Sequence, residues 1–465
     1  MNQIMTKWIP DSLSLKRPVY LSLSEQFSKA ITAGKLSGGE RLPTHRQLSY
    51  DLGISVQTVS RAYDELARLG LVSGETGRGT FVKSEKEEPD LPYIPERTNQ
   101  TIDLSMLKPV CEQMHIDRLR ASLAEVALEL PASDITSFRP NAVFTRHRAV
   151  AVDWLKHCGV ETDARNILVT NGATPAMTIA LMTAAKPKAT IVSEELGHHT
   201  LIPLVSYLGM NLKGIAIDEE GIRPDALEQA CRAQDVQALY LLPNGANPTN
   251  AIMGLKRREA LVEIARRYDL QIIENDAWGP LVEDHPTPFV NLAPERTHYF
   301  TSFTKTVVPG LRTGYLVVPE RFIAAAANRH LVTNWMATPI IAELATRWVE
   351  DGTALELVRW QRNALRRRHQ IVDEVLNGIS YRAHPESLHI WLPLPEGRKE
   401  DEFTSLARVQ GVAVAPGKSF AISQERAAPA VRICVGASRE DDLRAGLFTL
   451  SGLYHGDPEP ALLTI

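Results

Sequence analysis

Residues 301–319 run TSFTKTVVPGLRTGYLVVP. Ser302, Lys305 and Arg312 are spaced three and seven residues apart around a loop that closes at Pro309-Gly310. The apolar, β-branched run from Tyr315 to Val318 predicts a buried strand. A lysine between such a loop and strand is placed to form a Schiff base with an aldehyde. A serine hydroxyl and a guanidinium beside it are suited to grip a phosphate. An exposed loop lysine and a surface ion pair would give the same letters, so the reading depends on what the rest of the chain supplies.

Upstream, strand-like and helical stretches alternate: ILVT, Thr174 to Ala185, ATIVSEE, Thr200 to Leu208, GIAI, Pro224 to Ala233, ALYLLP, Lys256 to Tyr268, LQIIEN and HYFTSF. This predicts an α/β domain with a mostly parallel sheet covered on both faces. Ligands of such sheets sit at the carboxyl ends of the strands, and the polar candidates fall there in order. Gly172-Ala173-Thr174 opens a helix after ILVT, where free N–H groups and the Thr174 hydroxyl would bind phosphate. His198 follows TIVSEE and can lie flat on an aromatic ring. Asn247, in LLPNGANPTN, can donate to a phenolic oxygen, although N-G and N-P pairs are equally good turn formers. Asn275 and Asp276 end QIIEN, and a carboxylate there can pair with a pyridine nitrogen. Trp278 comes next. Each signal is modest, but together they predict a pyridoxal 5'-phosphate site.

The first eighty residues follow a different pattern. Tyr20 to Ala33 is an amphipathic helix, with Leu23, Phe27, Ala30 and Ile31 on one face. Thr44 caps a second helix to Leu52, Gly53 makes the turn, and Ser55 caps a third helix to Leu69. LVSGETGRGTFV then predicts a hairpin with a glycine-rich tip. This is the order of a winged helix-turn-helix. Gln57, Thr58 and Arg61 would meet base edges from the third helix. Arg41, Thr44 and Arg46 would reach phosphates, and Arg78 at the wing tip would reach phosphate or minor groove. Residues 1–82 carry a net charge of +3 within a chain total of −4, as a small nucleic-acid-binding module on an acidic body would. KSEKEEPDLPYIPERTNQ, residues 83–100, is charged, proline-bearing and without periodicity, and predicts an extended linker.

Composition sets outer bounds. A chain of 465 residues is too long for one ordinary domain. Apolar content of 44% with 23% charge is that of a soluble globular protein. The four cysteines, Cys111, Cys158, Cys231 and Cys434, form no C-x-x-C pair, which argues against zinc or a disulfide framework and fits a reducing compartment. No apolar leader or membrane span is legible, so a cytoplasmic protein with no membrane partner is expected.

The stretch GGERLPTHRQLSYDLGISVQTVSRAYDELARLGLVSGETGRGTFV closely resembles the DNA-binding domain of the GntR regulator family. Gln57 stands where that family usually has a basic residue. From about Ile102 onward the chain resembles fold-type I aminotransferases of class I/II, most specifically at SFTKTVVPGLR, and also at VAVAPGKSF and AVRICVG. The whole is similar to a MocR-type regulator. The resemblance implies domains at 1–82, 83–101 (the linker) and 102–465, the last with a smaller C-terminal α+β subdomain. It implies Lys305 as the aldimine lysine, with Ser302, Arg312, Gly172, Ala173 and Thr174 around the phosphate. Asn247 would meet the phenolic oxygen, His198 would stack on the ring, and Arg432 would clamp an effector carboxylate. It also implies a homodimer, with head-to-tail exchange of the DNA-binding heads, and double-stranded DNA as a partner.

Departures from the family pattern surround the ring. His198 replaces the usual aromatic, and Leu196 replaces the proline two residues earlier. Thr174 replaces a glutamine. Trp278 stands where a tyrosine usually donates, and indole donates only through its N–H. One spacing puts Asn275 opposite the pyridine nitrogen and a shorter one puts Asp276 there; the strand end at IIEN favours Asn275. A neutral amide would leave amine exchange possible while weakening proton abstraction. This favours a regulator sensing a small amino compound over two alternatives, a working aminotransferase with an accessory DNA-binding module and a regulator answering to pyridoxal phosphate itself.

Overall fold

The structure, a computed structural model, describes residues 8–68, 71–75, 79–82, 101–130, 132, 136, 138, 144–422, 428–436 and 439–456. The chain divides into two compact units, residues 1–97 and 98–465. Arg78 and the stretch 83–100 lie outside the described residues.

In the smaller unit, helices α1 (Val19–Thr32), α2 (His45–Leu52) and α3 (Val56–Arg68) precede an antiparallel hairpin, β1 (Val72–Glu75) and β2 (Gly79–Val82). The capping residues set the boundaries. Thr44 Oγ1 accepts from Gln47 N at 3.2 Å to start α2, and Gly53 ends it in the left-handed conformation, φ +64°. Ser55 Oγ accepts from Thr58 N at 3.1 Å at the start of α3. Leu23, Phe27, Leu48, Val59, Ala62 and Leu66 close a core of their own, on the inward helix faces expected from their spacing in α1, α2 and α3.

The larger unit is built on a seven-stranded sheet of β4 (Ile167–Thr170), β5 (Thr190–Glu194), β6 (Asn211–Ile215), β7 (Val236–Leu241), β8 (Gln271–Asn275), β9 (Thr297–Ser302) and β10 (Gly314–Val317); β3 (Ile102–Asp103) lies elsewhere. The spatial order is β4-β10-β9-β8-β7-β5-β6, and β10 alone runs antiparallel to its neighbours β9 and β4. Residues of β7 to β10 are buried almost throughout, as expected of a sheet with helices on both faces. Helix α4 (Gln113–Glu129), α5 (Thr145–His157), α6 (Ala173–Ala184), α7 (Leu201–Tyr207), α8 (Pro224–Ala233) and α9 (Leu255–Arg267) supply much of that cover. The strand expected at GIAI lies instead at Asn211–Ile215, because it is the sheet edge: its exposed Asn211 and Lys213 alternate with less exposed neighbours and so break the apolar run.

Helices α10 (Ile323–Asn334), α11 (Pro339–Glu350) and α12 (Thr353–Val375) lead to a second, antiparallel sheet. Its strands are β11 (His389–Pro393), β13 (Ala415–Pro416) and β14 (Ala430–Cys434), while β12 (Val412–Ala413) pairs in parallel with β3. Helices α13 (Glu400–Val409) and α14 (Glu440–His455) complete this subdomain.

Phe27 is fully buried, edge-on to Trp8 at 5.2 Å and to Tyr63 at 5.7 Å. Phe27→Ala should cost the small unit roughly 3–5 kcal/mol through the cavity it leaves. That is a large share of the stability a unit of this size holds. Calorimetry of the whole chain should show one transition lowered or lost and the larger unit's transition in place; two unmoved transitions would contradict this packing.

Candidate cofactor site and nucleic-acid interface

Sheet topology gathers the site. The strands β4, β5, β7, β8 and β9 all point the same way, so Gly172, His198, Asn247, Asn275 and Lys305 follow their carboxyl ends. Because β10 returns antiparallel, with Gly314 paired to both Ser302 and Thr170, Arg312, two residues before it, is delivered to the same edge. Gly172 has φ +87°, and a Cβ there would lie 3.2 Å from Arg312 Nη2, so only glycine lets the guanidinium approach the start of α6. No side chain caps that helix start, and Thr174 in its first turn is exposed.

Three cations occupy this edge. Arg312 Nη1 donates to Thr304 Oγ1 at 3.4 Å. Arg432, nearly buried on β14, donates from Nη1 to Asn247 Oδ1 at 2.9 Å and from Nη2 to the Ser105 carbonyl at 2.6 Å, with its guanidinium carbon 4.7 Å from the Phe420 ring centroid. Lys305 Nζ donates to the Leu107 carbonyl. Among the described residues no carboxylate lies within ion-pair distance of any of the three. Burial pushes the Lys305 ammonium down to about 8; the Cys434 thiol opposes this, and Arg432 and Arg312 push the same way. Burial also holds His198 well below the usual histidine range, and takes His199 to about 4 with help from Arg432 and Lys305. Both rings are therefore neutral at physiological pH.

Several buried polar atoms have no hydrogen-bond partner among the described residues: Ser302 Oγ, Asn247 Nδ2, Asn275 Oδ1 and Arg432 Nε. Leaving such groups unpaired costs about 1–3 kcal/mol each, and a bound ligand or water would supply the missing partners. A phosphorylated, anionic aromatic aldehyde fits this set of donors, acceptors and cations.

The two candidates for the pyridine nitrogen have different partners. Asp276 accepts from Asn244 Nδ2 at 2.9 Å through Oδ1 and from the Tyr299 hydroxyl at 2.7 Å through Oδ2. Each of its oxygens thus holds one hydrogen bond and keeps a further lone pair. Asn275 donates from Nδ2 to the Tyr240 hydroxyl at 2.6 Å and keeps its oxygen unspent. Trp278 departs from expectation, since its N–H donates to the Gly245 carbonyl at 2.9 Å and is not available to a phenolic oxygen.

Arg258 was not legible as a site residue. Its guanidinium is fully buried and donates to the carbonyls of Met253 (2.8 Å), Thr287 (3.3 Å) and Pro243 (3.3 Å) and to Asn244 Oδ1 (2.6 Å). The signal was its helical spacing with Leu261, Val262 and Ala265 on the buried face of α9. Tyr240, His199 and the carbonyls of Ser105 and Leu107 were also missed; a main-chain acceptor has no residue signature at all.

On the small unit, Thr44, Arg46, Ser55, Gln57 and Arg61 are exposed, and Arg41 and Thr58 partly so. The Ser55 and Thr58 hydroxyls are 2.8 Å apart, so both serve the cap of α3. Arg41 packs across Gly79 of the wing, with Nε 2.7 Å from where a Cβ would stand. Arg61 is exposed on α3 as expected, and its guanidinium carbon lies 4.0 Å from the Tyr20 ring centroid, a cation–π contact with α1.

Comparison with known proteins agrees with both halves. Residues 116–447 match the family described as aminotransferase class I and II, and residues 19–82 match bacterial regulatory proteins of the gntR family. The chain is 28% identical over 451 residues to the uncharacterized HTH-type transcriptional regulator YdeF of Bacillus subtilis, covering 96% of each. It is 28% identical over 386 residues to the HTH-type pyridoxine biosynthesis transcriptional regulator PdxR of Corynebacterium glutamicum, covering 80% of this chain and 82% of that one. Among solved structures, the multiple substrate aminotransferase of Thermococcus profundus superposes with a TM-score of 0.70 at 21% identity, covering 77% of this chain and 92% of its own. The Pyrococcus horikoshii kynurenine aminotransferase gives 0.69 at 22%, covering 77% and 91%. The structural likeness is one of fold.

If burial and the flanking guanidiniums depress Lys305, its reaction with a neutral acylating reagent should follow a midpoint near 8, against roughly 10.4 for a free lysine. Removing one of the cations, as in Arg432→Met, should move that midpoint upward. Site-resolved mass spectrometry across pH measures both; a midpoint above 10 in the unaltered chain would contradict the geometry.

Proposed function

Since the chain belongs to the class I/II aminotransferase family and carries a GntR-type DNA-binding module, we propose that it is a MocR-type transcription regulator acting in the cytoplasm. It binds pyridoxal 5'-phosphate covalently at Lys305 and senses a small amino compound there. The observation that carries this reading is the cluster of three cations with no neutralising carboxylate among the described residues, set beside buried polar groups that lack partners.

Each side chain has a part in it. Ser302, Arg312 and the start of α6 from Gly172 to Thr174 hold the phosphate. Asn247 Nδ2 donates to the phenolic oxygen, His198 covers the ring, and Asn275 meets its nitrogen. Arg432 takes the effector's carboxylate. Lys305, which burial lowers to about 8, would present a partly neutral amine to the cofactor's aldehyde near pH 7. The cofactor supplies an aldehyde carbon at which one amine can replace another.

Asn275 decides between sensor and enzyme. A carboxylate at that position would hold a proton on the ring nitrogen and strengthen electron withdrawal; a neutral amide does so far less. Asp276 already accepts from Asn244 and Tyr299, two contacts made inside the protein, whereas the Asn275 oxygen has no partner among the described residues. Amine exchange needs no such withdrawal, whereas breaking a Cα–H bond does. A receptor is therefore favoured over a transaminase. A homodimer is supported by the exposed apolar side chains Leu128, Val332, Trp335 and Ile340 on or beside α4, α10 and α11; head-to-tail exchange of the heads rests on the resemblance to MocR-type regulators.

The test is a visible spectrum of the whole chain with pyridoxal phosphate and a panel of amino compounds. A new band that shifts with one amine class, while no oxo acid forms, is expected; steady formation of a new amino acid would instead mean an aminotransferase. Lys305→Ala should abolish borohydride trapping of the cofactor. On the other unit, Arg46→Ala should weaken binding to a random-sequence duplex and reduce the slope of log K against log salt by about 0.9, the value for one lost phosphate contact. An unchanged slope would remove Arg46 from the interface.

A further inference from the structure

Two main-chain carbonyls close the site from one side, Leu107 on Lys305 and Ser105 on Arg432. The stretch that carries them is pinned at its start. Ile102 N donates to the Gly411 carbonyl and Leu104 N to the Ala413 carbonyl, each at 2.8 Å, and Cys434 N donates to the Leu104 carbonyl at 2.7 Å. Between the pins, Asp103 Oδ1 accepts from Ser105 N at 2.9 Å and from Ser105 Oγ at 2.8 Å, closing a side-chain turn around one carboxylate oxygen.

We propose that Asp103 is a positioning residue of the effector site: the turn it closes fixes the Ser105 carbonyl, and that carbonyl fixes the plane of the Arg432 guanidinium. This rests on the reading of Arg432 as the clamp for an effector's acid group. The guanidinium has three restraints, Asn247 Oδ1 on Nη1, the Ser105 carbonyl on Nη2 and the Phe420 ring against its face. Together they define an orientation, while Nε has no partner among the described residues and is left for an incoming carboxylate. A bidentate arginine–carboxylate pair depends on coplanarity, so a guanidinium freed from one restraint binds an acid less well. The effect is confined to ligands that carry the acid. The ligand class is thus a small amino acid, and Asp103 favours it over the amine that lacks the carboxylate.

The test titrates the full chain, loaded with pyridoxal phosphate, with L-alanine and with ethylamine, following the visible band. In Asp103→Ala the apparent Kd for L-alanine should rise about threefold to tenfold, the loss of one hydrogen bond's orienting effect, with that for ethylamine unmoved. Asp103→Asn keeps an acceptor oxygen and should restore alanine binding to within about twofold. A general loosening of the fold would shift both ligands together, and that outcome, or no shift for either, overturns the proposal. If the cofactor gives no band, or alanine never perturbs it in the unaltered chain, the reading of Lys305 or of Arg432 fails first and this inference falls with it. A band that responds to alanine equally in all three chains sinks the role of Asp103 alone.

Discussion

The larger unit depends on a guanidinium that never meets solvent. Arg258 ties the carbonyls of Pro243, Met253 and Thr287 to one planar group, and through Asn244 it reaches Asp276, which Tyr299 holds from the other side. The network joins the loop after β7, the end of β8 and the side of β9. Burying such a group is costly, and it persists because nearly every donor is satisfied. Removing one acceptor would leave a buried donor unpaired, at about 1–3 kcal/mol. The loop that presents Asn247 and the strand end that presents Asn275 are therefore held as one piece, independent of any ligand.

That network also explains why adjacent residues serve different ends. In an extended chain, neighbouring side chains point to opposite faces. Asn275 ends β8 on the side of Tyr240, while Asp276 turns to Asn244 and Tyr299. The acid accepts from the frame on both oxygens, while the amide keeps an oxygen with no partner among the described residues.

Much of the architecture was legible because it follows from periodicity. Helix Pro224–Ala233 and strand ILVT fall where spacing put them, and the strand ends list the site residues in order. What stayed hidden concerns how donors and acceptors are spent. Trp278 has the right place and an N–H, but nothing in the sequence says that Gly245 takes it. The Tyr20 ring beneath Arg61 was likewise not legible from the sequence. Arg258 sits among other charges in LKRREALVEIARR, and only burial distinguishes it. Edge strand β6 failed for a related reason, since half-exposed residues do not form an apolar run.

The short parallel pairing of β3 with β12 has a mechanical side. Residue 101 is where the charged, proline-bearing stretch 83–100 meets the larger unit, and the bonds from Ile102 and Leu104 to Gly411 and Ala413 lie within the next three positions. A pull along this strand would load those bonds together in shear, and bonds loaded together resist far better than bonds peeled one at a time. Bonds that resist together stop a pull on residue 101 short of the carbonyls of Ser105 and Leu107, which touch Arg432 and Lys305. The same seven residues, 101–107, thus carry both a mechanical anchor and the two carbonyls that lie behind it.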